Sequence, residues 1–466
     1  MLTGAGSLER LKGRRVIVIG AGVAGLVSAW LLREAGATVT ILEADTRVGG
    51  RIKTVRHPWL LADSYAEAGA MRFPVDHELA QVLIDRLGLE KRQFVMGRPE
   101  RIVDCMNLRT TRGDYQADPR ALNAEFGVDD ARGSGEILAA ALEAITPERH
   151  DTEGWRAHLE QYGEWSLRRF LAEQAGFSED LIDLVGTLEN LTARMPLSLT
   201  HTLLSRVFLA RGTQLVEIPG GSDRIIAALS ELAGPVRAGH KVTGIDSTAA
   251  ELTVTATDST GRDRRFTADA VMVTCPHPVL RHVEFTPELS YHKQRAISEL
   301  HYDAATKIML EFDTRWWDPD GTTPGGVDVT DGPLRYVVYP SHPQGTGGVV
   351  YASYTWSDDA RGWDALDAAE AARTAVGHLE RLHGPVVGES FTGGYHVESW
   401  ARNRFTGGEA AVYMPGQAVE VGPDTRAPEA GGRLVFAGDG TSTAYRCWIE
   451  GAIESACRAL RQLDRD

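Results

Sequence analysis

The chain has 466 residues, 43% hydrophobic and 24% charged, with 49 Lys plus Arg against 64 Asp plus Glu and hence a formal charge of -15. This is ordinary globular composition, long enough for two or three domains with a large core, and the negative charge argues against nucleic acid or anionic lipid as a partner. Cys105, Cys275, Cys447 and Cys457 form no CxxC pair, no apolar run is long enough to span a bilayer, and Met1 to Arg15 is too polar for a secretory signal, so a cytoplasmic protein without a membrane segment is expected. The histidines form no HExxH and the glycines no P-loop or nucleophile elbow, so no metal site or serine-hydrolase site is expected.

In chain order, Gly4-Ala5-Gly6 has no preceding strand and reads as a flexible tail. The first element is the apolar run Val16 to Ile19, which has the length and branching of a buried parallel strand. Gly20, Gly22 and Gly25 follow it. Leu26, Ala29, Trp30 and Ala35 then recur at helical spacing, Gly36 stops the helix, and a second run, Val39 to Leu42, ends in Glu43. In such a βαβ unit one glycine permits the tight turn, one lets backbone amides approach a pyrophosphate, and one lets helix and strand pack closely. The helix start offers N–H groups to phosphates, and a carboxylate at Glu43 accepts hydrogen bonds from ribose hydroxyls.

Residues 76–215 read as helix-rich: Leu79, Val82, Leu83 and Leu87 share one face, as do Ile137, Leu138, Leu142 and Ile145. Strand-like runs resume at Val242 to Ile245, Leu252 to Ala256 and Ala270 to Thr274. A further set, Ile308 to Glu311, Tyr336 to Tyr339 and Val349 to Tyr354, alternates more, as in a mixed sheet with a ligand face. Near the C-terminus the run Leu434 to Ala437 breaks at Gly438-Asp439-Gly440, and a helix follows. Trp448, Ala452, Ile453, Ala456 and Leu460 form its apolar stripe, with Glu450, Glu454 and Arg458 expected on the polar side. Two phosphate-competent loops at opposite ends of the chain point to one discontinuous domain around a long dinucleotide, and Arg47-Val48-Gly49-Gly50-Arg51 adds glycines and guanidinium groups beside the same ligand. That favours FAD over NAD.

The segment GAGVAGLVSAWLLREAGATVTILEADTRVGGR resembles the N-terminus of the flavin amine oxidases, and FAGDGTSTAYRCWIEGAIESACRA resembles their C-terminal flavin loop and helix. Between them IPGGSDRI, VTCPHPVLRHVEFTPELS and YDAATKIMLEF are similar to family segments in family order, and AEAGAMRFP is most similar to the L-amino acid oxidase branch. The resemblance implies a two-lobed α/β fold: a doubly wound, Rossmann-like FAD domain (1–60, 216–298 and 428–466), a mixed-sheet substrate domain (61–125 and 299–427) and a helical insertion (126–215). It implies unattached FAD bound by Gly20, Gly22, Ala24, Gly25, Glu43, Ala44, Gly50, Arg51, Met71, Arg72, Val242, Trp400, Gly438, Asp439, Trp448 and Ile449.

For chemistry, the resemblance implies that Arg72 receives the substrate carboxylate, for which a planar guanidinium suits and which an amine oxidase does not need. Lys307 is the implied catalytic lysine, holding a water against the flavin and stabilising its reduced form during reaction with oxygen. Tyr339, with Tyr336 as the alternative, is implied to donate a hydroxyl to the carboxylate, and Trp448 to wall the substrate. Arg446-Cys447 stands where the branch usually has His-Gly; Cys447 keeps the backbone carbonyl that accepts from the substrate amine, while its side chain alters the cavity. The expected reaction is oxidation of an L-amino acid, apolar or aromatic from the Trp and Tyr residues, to an imino acid and then a 2-oxo acid and ammonia, with oxygen reduced to hydrogen peroxide by a homodimer. The alternatives are oxidative decarboxylation to an amide, amine or polyamine oxidation, and a flavin-binding subunit of a biosynthetic complex.

Overall fold

The structure, a computed structural model, describes residues 8–208, 213–342 and 345–465, so that Gly4-Ala5-Gly6 lies outside the described residues. Strand Arg15–Ile19 is the centre of a five-stranded sheet, flanked by Thr38–Leu42 and Ala270–Val273, with Val236–Arg237 and Leu434–Phe436 at the edges. Every pairing in it is parallel. Alternate residues leave on opposite faces. Val16, Val18, Val39 and Ile41 pack with Leu26 and Trp30 of helix Val23–Glu34, Ile225 and Leu229 of helix Asp223–Ala233, and Ile453 and Leu460 of helix Ile449–Arg465. Ile17, Ile19, Val271 and Val273 pack instead against Val242, Leu252 and Val254 of a four-stranded sheet. Burial on both faces is why these strands read as unbroken apolar runs.

The second large sheet has seven strands, in the order Phe391–Ser399, Ala305–Phe312, Gly348–Trp356, Tyr336–Val338, Val327–Thr330, Ile102–Cys105 and Leu108–Thr111. One face, carrying Ile308, Leu310, Val337 and Val350, is covered by Ala375 and Leu379 of helix Ala368–His383; the other, carrying Met309, Val338 and Tyr351, faces Met71 and Trp400. The two strands between residues 102 and 111 interrupt a stretch that reads as helix-rich. They form a hairpin turned at Met106 and Asn107, both with positive φ (56° and 62°), and their only buried apolar side chains are Val103 and Cys105, too few for alternation to register.

Helices Ser134–Glu143, Thr152–Tyr162, Glu179–Leu188 and Leu199–Phe208 enclose a core of their own around Leu142, Phe170, Val185 and Leu203. The C-terminal helix buries Ile453, Ala456 and Leu460 as expected, but it begins at Ile449, leaving Trp448 in the loop before it. Glu450 is a correction: rather than facing solvent it is 3% exposed and accepts hydrogen bonds from the backbone N–H of Leu79 (3.1 Å) and Ala80 (2.8 Å), capping helix Glu78–Arg86, which has no cap from its own His77. Arg458 is also turned inward, donating to the Thr441 hydroxyl at 2.7 Å.

Candidate active site

A cavity of about 500 Å³ starts at the carboxyl ends of the parallel strands and runs to the seven-stranded sheet and the helical segment. At its first end the chain leaves strand Arg15–Ile19 through Gly20, whose φ of +102° suits glycine. Helix Val23–Glu34 starts at Gly22 with no side-chain cap, so its first N–H groups are open to the cavity. Gly25 is not in the cavity wall. A Cβ there would stand 2.0 Å from the Gly20 carbonyl oxygen, so its glycine serves helix-to-strand contact. Glu43 lines the wall, accepting from the N–H of Ala21 (2.7 Å) and Asp45 (2.8 Å), and burial pushes its carboxyl above the usual range. Ala24, Ala44 and Val242 line the same end.

Further along, Gly50 (φ +56°) and Gly438 (φ +123°) bring two loops to the cavity. Arg51 and Asp439 are held to each other by two charged hydrogen bonds, and Arg51 also donates to the Glu409 carbonyl at 2.6 Å. The pair thus joins the N-terminal glycine loop to the C-terminal one. Beyond it Met71, Trp400, Trp448 and Ile449 form the walls; the Trp400 indole donates to the Ala68 carbonyl at 2.9 Å and the Trp448 ring meets His77 edge-on at 5.1 Å.

Lys307 is 1% exposed. Its ammonium donates to the carbonyls of Gly69 (2.6 Å) and Glu67 (3.1 Å) and lies 4.5 Å from the Tyr354 ring centre and 5.6 Å from that of Tyr351. Desolvation lowers its pKa to about 7, against the opposing pull of Glu409, Glu67 and Glu398. Arg72 is half-buried in the same wall. Among the described residues no carboxylate lies within ion-pair distance of it, and its one hydrogen bond goes to the Met96 sulfur at 3.7 Å.

A flavin would meet these residues at the right places, and the comparisons with known proteins name the family. Residues 23–463 match the family of flavin containing amine oxidoreductases. The chain belongs to that family. An L-glutamate oxidase precursor from Streptomyces viridosporus is 36% identical over 576 residues, covering 98% of this chain and 86% of that protein. An L-amino-acid oxidase from Siganus canaliculatus is 33% identical over 459 residues, covering 97% and 85%. Among solved structures, a putrescine oxidase superposes with a TM-score of 0.78 at 20% identity, over 98% of this chain and 100% of the other, which speaks to fold alone.

The cofactor of this flavin oxidoreductase is FAD, and the residues present fit it: open helix N–H groups and glycine loops for the pyrophosphate, the Glu43 carboxylate for the ribose, and a wall of Met71, Trp400 and Trp448 for the ring system. Of the residues expected from sequence to bind FAD or substrate, all but Gly25 and Tyr339 line this cavity. Tyr339 is the correction. Residues 337 and 339 point to the helix-covered face, where the Tyr339 hydroxyl donates to Asp328 at 2.6 Å, its ring stacks on Trp317, and His383 completes the cluster. Tyr336, on the opposite face, is the tyrosine that lines the cavity. Period two along the strand separates the two tyrosines.

Cys447 also lines the cavity. It is exposed and holds a φ of +70°, its thiol donates to the Ala411 carbonyl at 3.5 Å, and desolvation by the surrounding protein pushes the thiol pKa up. Sequence reasoning missed the far wall. Arg194 and His201, from the helical segment, line it together with Tyr354, Trp356 and Glu409. Arg194 pairs with Asp303 (3.1 Å) and Glu409 (3.5 Å) and lies 4.8 Å over the Trp356 ring. His201 is kept neutral, its pKa lowered to about 3 by burial and by Arg194 and Arg446. The one available signal was the period-two pair Tyr354 and Trp356, since Tyr354 stands directly across from Lys307 in the antiparallel ladder.

Proposed function

We propose that this flavin oxidoreductase oxidises an L-amino acid, with oxygen as the acceptor and hydrogen peroxide as the reduced product. The observation that carries the reading is Arg72: a guanidinium in the cavity wall, close enough to Lys307 and Tyr354 to act on them electrostatically, with no carboxylate in ion-pair distance among the described residues. An amine substrate has nothing to offer it, whereas a carboxylate takes two parallel hydrogen bonds. The names of the Streptomyces and Siganus relatives support the same reading. Bound FAD supplies the hydride acceptor for the substrate α-carbon. In this reading Arg72 orients the carboxylate, the Cys447 carbonyl accepts from the amine, and the aromatic walls exclude water. Exclusion of water favours the neutral amine over the ammonium, the form from which hydride leaves.

For the side chain, sequence composition favours an apolar or aromatic group. The L-glutamate oxidase relative favours an acidic one, which would have to draw Arg194, a second guanidinium in the far wall, from Asp303 and Glu409. The proposal extends to a homodimer, which rests on family resemblance, and to a cytoplasmic setting, which rests on four free cysteines.

The test is Arg72→Ala. Stranding a substrate carboxylate in a shielded site costs about 3 to 5 kcal/mol, so kcat/KM for the amino acid should fall by roughly two to four orders of magnitude. Turnover of the matching amine should change little, and Arg72→Lys should recover only part of the loss. Equal losses on acid and amine, in protein of normal flavin content, would reject the reading. Anaerobic bleaching of the yellow protein by L-glutamate against L-phenylalanine decides the side chain.

A further inference from the structure

Glu409 belongs to none of the motifs that identify the family, yet four parts of the site meet at it. Its backbone N–H donates to the Asp303 carbonyl at 2.8 Å, and its carbonyl accepts from Arg51, the guanidinium that joins the two glycine loops. Its carboxylate accepts from the Tyr354 hydroxyl at 2.9 Å and the Trp356 indole at 3.4 Å, and lies 3.5 Å from Arg194. The Tyr354 ring that it orients is the one under the Lys307 ammonium. One side chain therefore fixes both aromatic walls and links Arg194, which it pairs with directly, to Lys307 through the Tyr354 ring.

We propose that Glu409 is a positioning and specificity-determining residue that shares its negative charge between Lys307 and Arg194, so that the charge on the substrate side chain is sensed at the lysine. The proposal rests on the amino acid oxidase reading. Asp303 and Glu409 together outweigh the single charge of Arg194. An acidic side chain entering this corner competes with Glu409 for Arg194; a neutral one does not. Glu409 is also the first of the anions that oppose desolvation of Lys307. The other charged groups facing Lys307 are Glu67, Glu398 and Arg72, and its remaining neighbours are the Gly69 and Glu67 carbonyls, the Met71 sulfur and the rings of Tyr351 and Tyr354.

The test uses the holoenzyme and two non-reacting probes, glutarate and butyrate, whose binding is read from the flavin absorption spectrum without turnover. In Glu409→Gln, which keeps an acceptor for Tyr354 and Trp356 but not the charge, glutarate should bind about tenfold more tightly while butyrate changes less than about twofold. The pH at which flavin reoxidation slows should move about one unit to the acid side, because loss of a nearby anion makes the ammonium easier to deprotonate. Glu409→Asp, which keeps the charge, should restore the native midpoint. Equal changes for glutarate and butyrate, or an unmoved midpoint in a variant of normal melting temperature and flavin content, would overturn the proposal. Failure of the native protein to bind either carboxylate would instead count against the Arg72 reading, so the two failures are distinct.

Discussion

The two ends of the cavity are built on different principles. The nucleotide end is made mainly of backbone: open helix N–H groups, glycine loops and one buried carboxylate, drawn largely from a single stretch between residues 15 and 51. The substrate end is made of side chains brought from far apart: Arg72, Arg194, Lys307, Tyr354, Glu409 and Cys447 come from two strands of the seven-stranded sheet, the helical segment and three separate loops, which must all be in place before they meet. A backbone cradle tolerates variation in most side chains and binds one ligand. A wall of convergent side chains changes its ligand whenever one member changes. The difference predicts that damage at the first end is read as loss of flavin and damage at the second as loss of a particular step with flavin retained.

After Arg72→Ala, the largest effect expected under that comparison is at Lys307. Lys307→Met should slow reoxidation of the reduced enzyme by about two to three orders of magnitude, as loss of one electrostatic stabiliser does, while anaerobic reduction by substrate changes far less. Because the Lys307 pKa is lowered to about 7, the native reoxidation rate should decline as pH rises through and above that value, and the methionine variant should show no such decline. Stopped-flow traces at several pH values check both statements. A collapse of the reductive step with normal reoxidation would place Lys307 on the substrate side of the chemistry.

At the other end, Glu43→Ala should cost roughly 1.5 to 3 kcal/mol of FAD affinity, the worth of a hydrogen bond to a charged group. Because the carboxylate also accepts from Ala21 and Asp45, Glu43→Gln is the better probe, keeping an acceptor while removing the charge; its loss should fall between native and alanine. Gly25→Ala acts through packing. Its Cβ would collide with the Gly20 carbonyl, and since that oxygen is backbone rather than the end of a flexible side chain, relief requires moving the helix or the turn, at about 1 to 3 kcal/mol of stability. Flavin content should fall in both Glu43 variants and in Gly25→Ala, with the kinetics of whatever holoenzyme remains close to native, the opposite of the Lys307 result.

The same contrast explains what could be read from sequence. The βαβ unit was legible because strand, glycines, helix and acid are local and each has one mechanical job: Val16 to Ile19 is apolar because both faces are buried, and Gly25 is glycine because two backbones touch there. Lys307 and Arg72 were legible only through resemblance, since a lysine in a strand and an arginine in a loop carry no local signature of burial. Arg194, His201 and Glu409 were not legible at all. The place of Arg194 and His201 depends on how a helical segment with its own core docks beside the seven-stranded sheet, which no periodicity in residues 126–215 encodes, and Glu409 lies in a loop whose partners are all distant in sequence. Glu450 failed for a related reason: its spacing put it on the polar side of a helix, but a neighbouring helix with uncapped N–H groups drew it inward.

The smallest expected effect on catalysis is at Tyr339, and it separates the two faces of one strand. Tyr339 and Tyr336 are three residues apart, so the pleat sends them to opposite sides of the sheet, and a segment rich in tyrosine offers no sequence reason to prefer one. Tyr339→Phe removes the hydroxyl that donates to Asp328, but Asp328 keeps bonds from His383 (2.9 Å) and from the Ile102 N–H (2.8 Å). The loss should be about 1 kcal/mol of stability, seen as a lower melting temperature, with kcat/KM within about twofold of native and unchanged flavin content. Tyr336→Phe should do the reverse, leaving stability within about 0.5 kcal/mol, as at a site free of core hydrogen bonds, and raising KM for the amino acid. If the Tyr339 variant instead lost amino acid turnover at unchanged stability, the strand would have to present residue 339 to the cavity, with its register against Val327–Thr330 and Gly348–Trp356 shifted by one residue.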